Sequence, residues 1–207
     1  MPARAIEVFA DIWCPFTHVG LKAVVDQRRR SGNDDVTLIV RAWPLELVNA
    51  APMDAHHAAE RAAELRRQVS PELFEHLDVD HFPTTTLPAL ALTARAYNVD
   101  ASTGELVALA LRDALFEHGL DISDAAVLTR IAAEHSLTMP DASDEASVLA
   151  DWADGRARGV LGSPHFFYGD SNMFCPSLSI TRDQQSNLSI TFDTERLQGF
   201  LATCLPS

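Results

Sequence analysis

The sequence predicts an α/β fold in which a helical insertion separates two groups of strands. Three observations favour it: a strand-helix-strand pattern at the start, a long middle region without strand-like alternation, and a return of strand-like segments before a final helix. With 207 residues, 47% of them hydrophobic, the chain suits one compact domain or a small core carrying a large insertion.

The first part of the chain is predicted to be a β-α-β unit. Residues 5–10 form a strand, residues 15–30 an amphipathic helix and residues 36–42 a second strand, with a Ser-Gly-Asn-Asp break at 31–34. A connecting helix of this length implies parallel strands and a right-handed crossover. Residue 14 is therefore expected at the carboxyl edge of the sheet, where ligands bind in open α/β folds.

The middle of the chain is predicted to be an inserted helical domain over residues 53–137, which interrupts a domain formed by residues 1–52 and 138–207. Patterns rich in Ala, Leu, Glu and Arg, punctuated by prolines, replace strand-like alternation there. The elements expected afterwards are a helix at about 144–158, a strand from 165, a turn at 169–172, a strand resuming near 173, a strand at 188–192 and a helix at 194–205.

Charge and cysteine content exclude several classes of function. The chain has 16 basic and 29 acidic residues, a net charge of -13, which repels phosphate backbones and anionic membranes. It shows neither a signal-peptide pattern nor an apolar run long enough to span a bilayer. Three cysteines do not suit a disulfide framework. We therefore expect a cytoplasmic protein with no nucleic-acid and no membrane partner.

Cys14 is the best candidate for chemistry. It follows the first strand and precedes Pro15, which fits the first helical position, so its sulfur would face unpaired N–H groups at the positive end of a helix. Such a position favours the reactive thiolate, although a free cysteine is often just a small buried hydrophobe. A Gly-x-x-Gly-Ser-Pro run at 159–164, leading directly into a strand, favours the functional interpretation.

Four segments carry a resemblance to a known family: Asp-Ile-Trp-Cys-Pro-Phe-Thr-His-Val-Gly at 11–20, the helical insertion, residues 121–135, and residues 159–167. With them the sequence resembles the thioredoxin-fold oxidoreductases of the DsbA-like family, in particular the cytoplasmic FrnE-like branch. It is also similar to 2-hydroxychromene-2-carboxylate isomerases and kappa-class glutathione transferases. The resemblance covers nearly the whole chain and implies an α/β, thioredoxin-like fold with a large helical insertion between the β-α-β and β-β-α halves.

The resemblance implies that Cys14 is the attacking sulfur and Pro164 a cis-proline beside it. A cis-proline would turn Ser163 so that its backbone N–H and C=O face an extended peptide or a thiol ligand. The alternative is a trans-proline that starts an edge strand. Thr17 stands where the family's Cys-Pro-Trp-Cys motif has its second cysteine. Its hydroxyl could stabilise the Cys14 thiolate or bond the preceding turn, but it cannot resolve a mixed disulfide.

The other two cysteines have different expected roles. Cys175 should lie where the strand after the 169–172 turn approaches the active-site edge, so it is either a resolving thiol for Cys14 or an inert buried thiol. Cys204 shares an apolar helical face with leucine and phenylalanine side chains, so we expect it to pack in the core.

The neighbours of the cysteine carry further hypotheses. Asp11 is an auxiliary candidate as proton acceptor or ligand contact, against a role as cap or exposed side chain. Trp13, Pro15 and Phe16 are candidates for an apolar substrate platform, although Trp13 could equally plug the insertion against the core. His18 could tune the thiolate or contact substrate, or be a surface residue. The histidines lack ligand spacing, so no metal is expected.

The predicted function is an enzyme, a thiol-disulfide oxidoreductase that acts through a Cys14 mixed disulfide in a Cys-Pro-Phe-Thr site. Its substrates would be a small thiol or a protein disulfide. We expect no tightly bound cofactor beyond a low-molecular-weight thiol such as glutathione. The apolar insertion could frame either a substrate cleft or the surface of a homodimer. The alternatives are a thiol-dependent isomerase or transferase, and a degenerate binding protein without activity.

Overall fold

The computed structural model describes residues 4–33, 35–182, 184–185 and 188–204. This part of the chain holds eight helices and two sheets. The elements are β1 Arg4–Ala10, α1 Pro15–Arg30, β2 Val36–Ala42, α2 Leu45–Asn49, α3 Ala55–Gln68, α4 Leu87–Tyr97, α5 Ala101–Phe116, α6 Ala125–Glu134, α7 Ala142–Ala157, β3 His165–Tyr168, β4 Ser171–Phe174, β5 Leu178–Arg182, β6 Leu188–Phe192 and α8 Thr194–Cys204. Two residues of the expected elements, Asp34 and Leu205, lie outside the described residues.

The main sheet has the strand order β2-β1-β3-β4. β1 and β2 are parallel, with Val8 opposite Val40, which confirms the β-α-β unit. β3 runs antiparallel to β1, with Phe9 opposite His165, and β4 returns antiparallel beside β3. The carboxyl end of β1 therefore meets the amino-terminal end of β3, and the two sequence motifs share one edge of the sheet.

Alternation along the strands gives the sheet two apolar faces. On one face Ile6, Val8 and Ala10 pack beneath α1 and α8. On the other face Phe9 packs with Trp43 beneath α7. Because α1 covers the first face, its amino-terminal end is fixed at the sheet edge where the motifs meet.

The segment between β2 and β3 is helical throughout its regular structure, as expected for an insertion. α4 packs on both α5 and α7, and α5 and α7 also contact β2. α7 begins earlier than the sequence pattern suggested, because Asp141 and Asp144 form a reciprocal capping box at its start. The domain boundaries at residues 53 and 137 stay a prediction.

The described helices include none with the length and apolar character needed to cross a membrane.

The second sheet, β5 with β6, pairs Ile180 with Ile190. It lies against α3, where the Gln68 side chain donates to Leu188 O and accepts from Ile190 N–H. The hairpin is thereby tied to the insertion by two backbone groups.

Candidate active site

Cys14 lies in the short connection between β1 and α1. It is the N-cap residue of α1, and Pro15 begins the helix as the sequence predicted. The side chain is almost completely buried, with 5% of its surface exposed. Its thiol donates to the backbone carbonyl of Ser163, with Sγ 3.1 Å from the oxygen. Residues 149 positions apart in the sequence thus meet at the sulfur.

Ser163 joins the two motifs through its side chain as well. Its peptide bond to Pro164 is cis. Its hydroxyl accepts a hydrogen bond from the Asp11 N–H at 2.8 Å and lies 2.7 Å from the Thr17 hydroxyl. Since Thr17 is fully buried, this hydroxyl pair is shielded from water. Ser163 and Thr17 therefore form a fixed polar contact immediately beside Cys14.

Burial dominates the ionisation of Cys14. It raises the pKa of the thiol, and the buried Asp11 carboxylate acts in the same direction. The hydroxyl and backbone N–H of Thr17, together with the Ser163 hydroxyl, lower that pKa but do not offset burial. The expectation of a ready thiolate is thus corrected, because the helix end is covered rather than open to solvent.

Asp11 is fully buried rather than exposed. Its carboxylate accepts hydrogen bonds from the backbone N–H of Trp13, at 3.1 Å, and of Leu45. Burial raises its pKa to about 6, against the lowering effect of these bonds. Asp11 therefore links the loop after β1 to the first residue of α2, whose free backbone N–H it caps. Burial makes the charged form of this carboxyl group costly.

Trp13 has no exposed surface and stacks on Phe82 of the insertion, with ring centroids 6.4 Å apart. A side chain without exposed surface cannot contact a substrate, so the platform role expected for Trp13 is corrected to packing. Pro15 is also buried, and Phe16 is partly buried against the same cluster. Of the three platform candidates, Phe16 alone keeps some accessible surface.

His18 is buried, not on the surface. Its Nε2 lies 2.6 Å from Glu117 Oε1, and the ring packs against Phe74 and Phe116. Burial lowers the pKa of His18, although the hydrogen bond to Glu117 opposes this. The ring therefore joins α1 to the end of α5.

His18, Asp113 and Glu117 also bring three metal-capable ligand atoms within 4.8 Å of one another, a grouping that sequence spacing did not reveal. Lys22 Nζ lies 2.8 Å from Asp113 Oδ1 and supplies positive charge to this cluster. We therefore assign the cluster to an ion-pair network between α1 and α5, and the absence of a metal stays a prediction.

Comparison with known proteins agrees with this geometry. The DSBA-like thioredoxin domain matches residues 5–184. The chain belongs to the DsbA-like thioredoxin-domain family. No curated protein matches the sequence significantly.

Solved structures similar to this DsbA-like chain share its fold at low sequence identity. A candidate protein disulfide isomerase from Nitrosomonas europaea aligns with a TM-score of 0.67 and 14% identity over 96% of each chain. The cytosolic disulfide reductase DsbM from Pseudomonas aeruginosa, solved with GSH, aligns with a TM-score of 0.60 and 14% identity over 96% of this chain and 98% of that one. A 2-hydroxychromene-2-carboxylate isomerase aligns with a TM-score of 0.58 and 12% identity over 82% and 88%.

The other two cysteines of this DsbA-like protein differ in their surroundings. Cys175 follows β4 directly, and its backbone N–H donates to Pro164 O at 2.9 Å. It is buried, and burial together with an ionised Cys14 raises its pKa to about 12. Cys204 is buried on α8, where its thiol donates to Phe200 O, which agrees with its expected packing role.

Sequence reasoning missed a buried cation near the site. Arg112 of α5 is 1% exposed, and its Nη1 donates to Ala108 O at 2.6 Å. Burial lowers its pKa to about 10, while the negative charges of Asp11 and an ionised Cys14 raise it. An arginine directly after the apolar stretch 107–111 was the available signal. Its position behind the site depends on how α5 packs.

The DsbA-like site also has an exposed apolar rim. Leu161, two residues before Ser163, is 74% exposed, and Phe174, next to Cys175, is 38% exposed. A Cβ on Gly162 would lie 3.0 Å from the Phe174 ring, so the two are in close contact. The rim supplies the accessible apolar surface that the buried Trp13 does not.

Proposed function

We propose that this protein is a thiol-disulfide oxidoreductase that acts through a mixed disulfide on Cys14. The observation that carries the proposal is the 3.1 Å contact between the Cys14 sulfur and the carbonyl of Ser163, the residue before a cis-proline. A substrate that pairs with the Ser163 backbone, as in strand addition, would bring its own sulfur to Cys14. The exposed Leu161 and Phe174 would pack against the substrate's apolar groups.

The first step forms one bond and breaks another. The Cys14 sulfur attacks one sulfur of the substrate disulfide, and the second substrate sulfur leaves as a thiol carrying the proton that Cys14 gave up. Thr17 donates its hydroxyl hydrogen bond to the negative charge on Cys14, and Ser163 orients that hydroxyl from 2.7 Å away. In the free protein, burial and Asp11 keep Cys14 protonated. Cys14 therefore has to lose its proton as the substrate binds.

A low-molecular-weight thiol of the glutathione class is the proposed reductant, since Thr17 has no sulfur with which to release the bound product. One thiol attacks Cys14 Sγ and expels the substrate as a thiol, and a second thiol attacks the first, which forms the disulfide of the small thiol and leaves Cys14 reduced. The proposed location is the cytoplasm, where thiols of this class keep cysteines reduced. The cytosolic DsbM reductase solved with GSH, a fold neighbour of this chain, supports both parts of this proposal.

The test compares Cys14→Ser with Cys204→Ser, a matched control that removes an equally buried thiol from α8. Each protein is mixed with a small symmetrical disulfide and reduced glutathione. The release of the thiol that this disulfide yields on reduction is followed over time. We expect Cys14→Ser to lose all protein-dependent turnover and Cys204→Ser to keep it. Turnover that survives in Cys14→Ser would refute the proposal.

A thiol-dependent isomerase or transferase is the second candidate function. It is favoured by the raised pKa of Cys14, which is a poor nucleophile while protonated, and by the fold shared with a 2-hydroxychromene-2-carboxylate isomerase. In that case glutathione would bind without a covalent bond to Cys14. Calorimetry on Cys14→Ser separates the two functions, because tight glutathione binding by this variant, without disulfide turnover in the wild type, supports the second. If the protein neither binds glutathione nor turns over a disulfide, both enzymatic functions are excluded, and a binding protein without activity is the remaining candidate.

A further inference from the structure

Cys175 lies directly across the strand ladder from Pro164. β3 and β4 are antiparallel with His165 opposite Phe174, so one further step of the register pairs Pro164 with Cys175. The hydrogen bond from the Cys175 N–H to Pro164 O, at 2.9 Å, continues the ladder to that pair. Cys175 therefore extends the sheet edge on which Cys14 lies.

The Cys175 side chain belongs to a buried apolar cluster that also contains Ile12 and Val19, residues on either side of Cys14 in the sequence. Cys175 follows the last residue of β4 and has a φ of 45°, so its side chain leaves the alternation of the strand. α1 passes directly over this point, because a Cβ on Gly20 would lie 3.5 Å from the Pro164 ring and 3.2 Å from Ser177 Oγ. Both thiols thus belong to the same layer of the protein.

Cys14 is held at the residue before Pro164. Its sulfur lies 3.1 Å from Ser163 O, and the Cys175 N–H lies 2.9 Å from Pro164 O, so the two cysteines bond to adjacent carbonyls. A disulfide between them needs Cα atoms about 4.4 to 6.8 Å apart. The charge on an ionised Cys14 also raises the pKa of Cys175, as expected of neighbouring thiols.

The surroundings of Cys175 can support a thiolate once its burial is relieved. The backbone N–H of Leu178 and the charge of Arg196 both lower its pKa, against burial and Cys14. Arg196 is held nearby by a 2.7 Å hydrogen bond from Nη2 to Phe174 O. Cys204 has no comparable cation acting on it among the described residues.

We propose that Cys175 is the resolving thiol of this site and that it forms a disulfide with Cys14 across Pro164. This inference rests on the proposed function. After Cys14 has formed the mixed disulfide, the Cys175 sulfur attacks Cys14 Sγ and expels the remaining substrate thiolate, which takes the Cys175 proton. One substrate disulfide is reduced to two thiols, and the protein's two thiols are oxidised to one disulfide. Two molecules of a glutathione-class thiol then reduce it.

The test uses oxidised glutathione as the disulfide, with no added reductant, on the reduced wild type, Cys175→Ser and Cys204→Ser. Samples are quenched with acid at intervals for intact mass spectrometry and non-reducing peptide mapping. The wild type and Cys204→Ser should lose two hydrogens and yield a peptide linking Cys14 to Cys175. Cys175→Ser should instead accumulate one glutathione on Cys14. Cys175→Ala gives the same readout with a different replacement, and circular dichroism verifies that both variants are folded.

The outcomes separate this inference from the function on which it rests. If the wild type also accumulates glutathione on Cys14 without the linked peptide, Cys175 is not the resolving thiol while the mixed-disulfide function stands. If a linked peptide joins Cys14 to Cys204 instead, the resolving role of Cys175 is equally excluded. If Cys14 remains unmodified in every protein, the proposed function fails and this inference fails with it.

Discussion

Replacing Thr17 by valine removes one hydroxyl from the site while keeping the shape of the side chain. Thr17 is fully buried, and its hydroxyl lies 2.7 Å from Ser163 Oγ and lowers the pKa of Cys14. A hydrogen bond to a charged group is worth about 1.5 to 3 kcal/mol. Since about 1.4 kcal/mol is a factor of ten, the thiolate fraction of Cys14 at a given pH below its midpoint should fall at least about tenfold.

The assay is carbamidomethylation of Cys14 across a pH series, with Cys175→Ser and Cys204→Ser present so that one thiol remains. Rates are normalised to the plateau at high pH, which removes changes in access to the buried sulfur. The matched control is Thr93→Val, because Thr93 is also buried and its hydroxyl donates to Ala89 O within α4. We expect Thr17→Val to move the midpoint upward and Thr93→Val to leave it in place. A midpoint that stays or falls in a folded Thr17→Val protein would refute the reasoning.

Four further substitutions test the packing and charge of the protein. Gly104→Ala should lower the free energy of unfolding in urea by about 1 to 3 kcal/mol or more, since the added Cβ would lie 2.1 Å from the Tyr97 ring. The control is Gly199→Ala, where the added Cβ has nothing within 4 Å. That substitution should raise the free energy of unfolding by about 0.5 to 1 kcal/mol. His18→Asn should cost about 1 to 3 kcal/mol in the same assay, because it leaves the Glu117 carboxylate, 2.6 Å from Nε2, without its donor. The wild type should lose free energy of unfolding as the pH rises, because Asp11 ionises, and Asp11→Asn should remove this loss. Urea unfolding from about pH 4 to 7 measures it.

The sign for Asp11 follows from its raised pKa. Burial moves it from 3.8 to about 6, so between these values the folded protein holds a proton that the unfolded chain releases. Stability contributed by this group therefore falls as pH rises through that window, by about 3 kcal/mol at roughly 1.4 kcal/mol for each pKa unit. The difference in unfolding free energy between wild type and Asp11→Asn should change by about this amount. A difference that stays constant over the window would contradict the burial of an ionisable Asp11.

The order and type of the elements could be predicted because each depends on local sequence. The alternation in residues 5–10 and 36–42 and the helical spacing of 15–30 specify a β-α-β unit, and such a unit puts residue 14 at the carboxyl edge of the sheet. The proline at position 15 identifies the start of α1 for the same local reason. The bounds of α7 were less predictable, since they depend on which acidic side chain caps the helix.

The properties of individual site residues could not be predicted in this way. Trp13 was a candidate platform and is instead covered by Phe82, and His18 is buried against Glu117 although it follows a typical helical pattern. Both outcomes depend on contacts with the insertion, which are distant in sequence. No spacing rule along α1 carries information about which of its faces the insertion covers.

By itself, the sequence determined the α/β architecture, the edge on which the chemistry lies and the identity of Cys14 as the exceptional residue of that edge. The tertiary structure alone decided how reactive Cys14 is. Its pKa depends on the balance between burial, the buried charge of Asp11 and the hydroxyls of Thr17 and Ser163. Each of these acts through space over a few ångströms, and the low-dielectric interior that strengthens them exists only once the chain is packed.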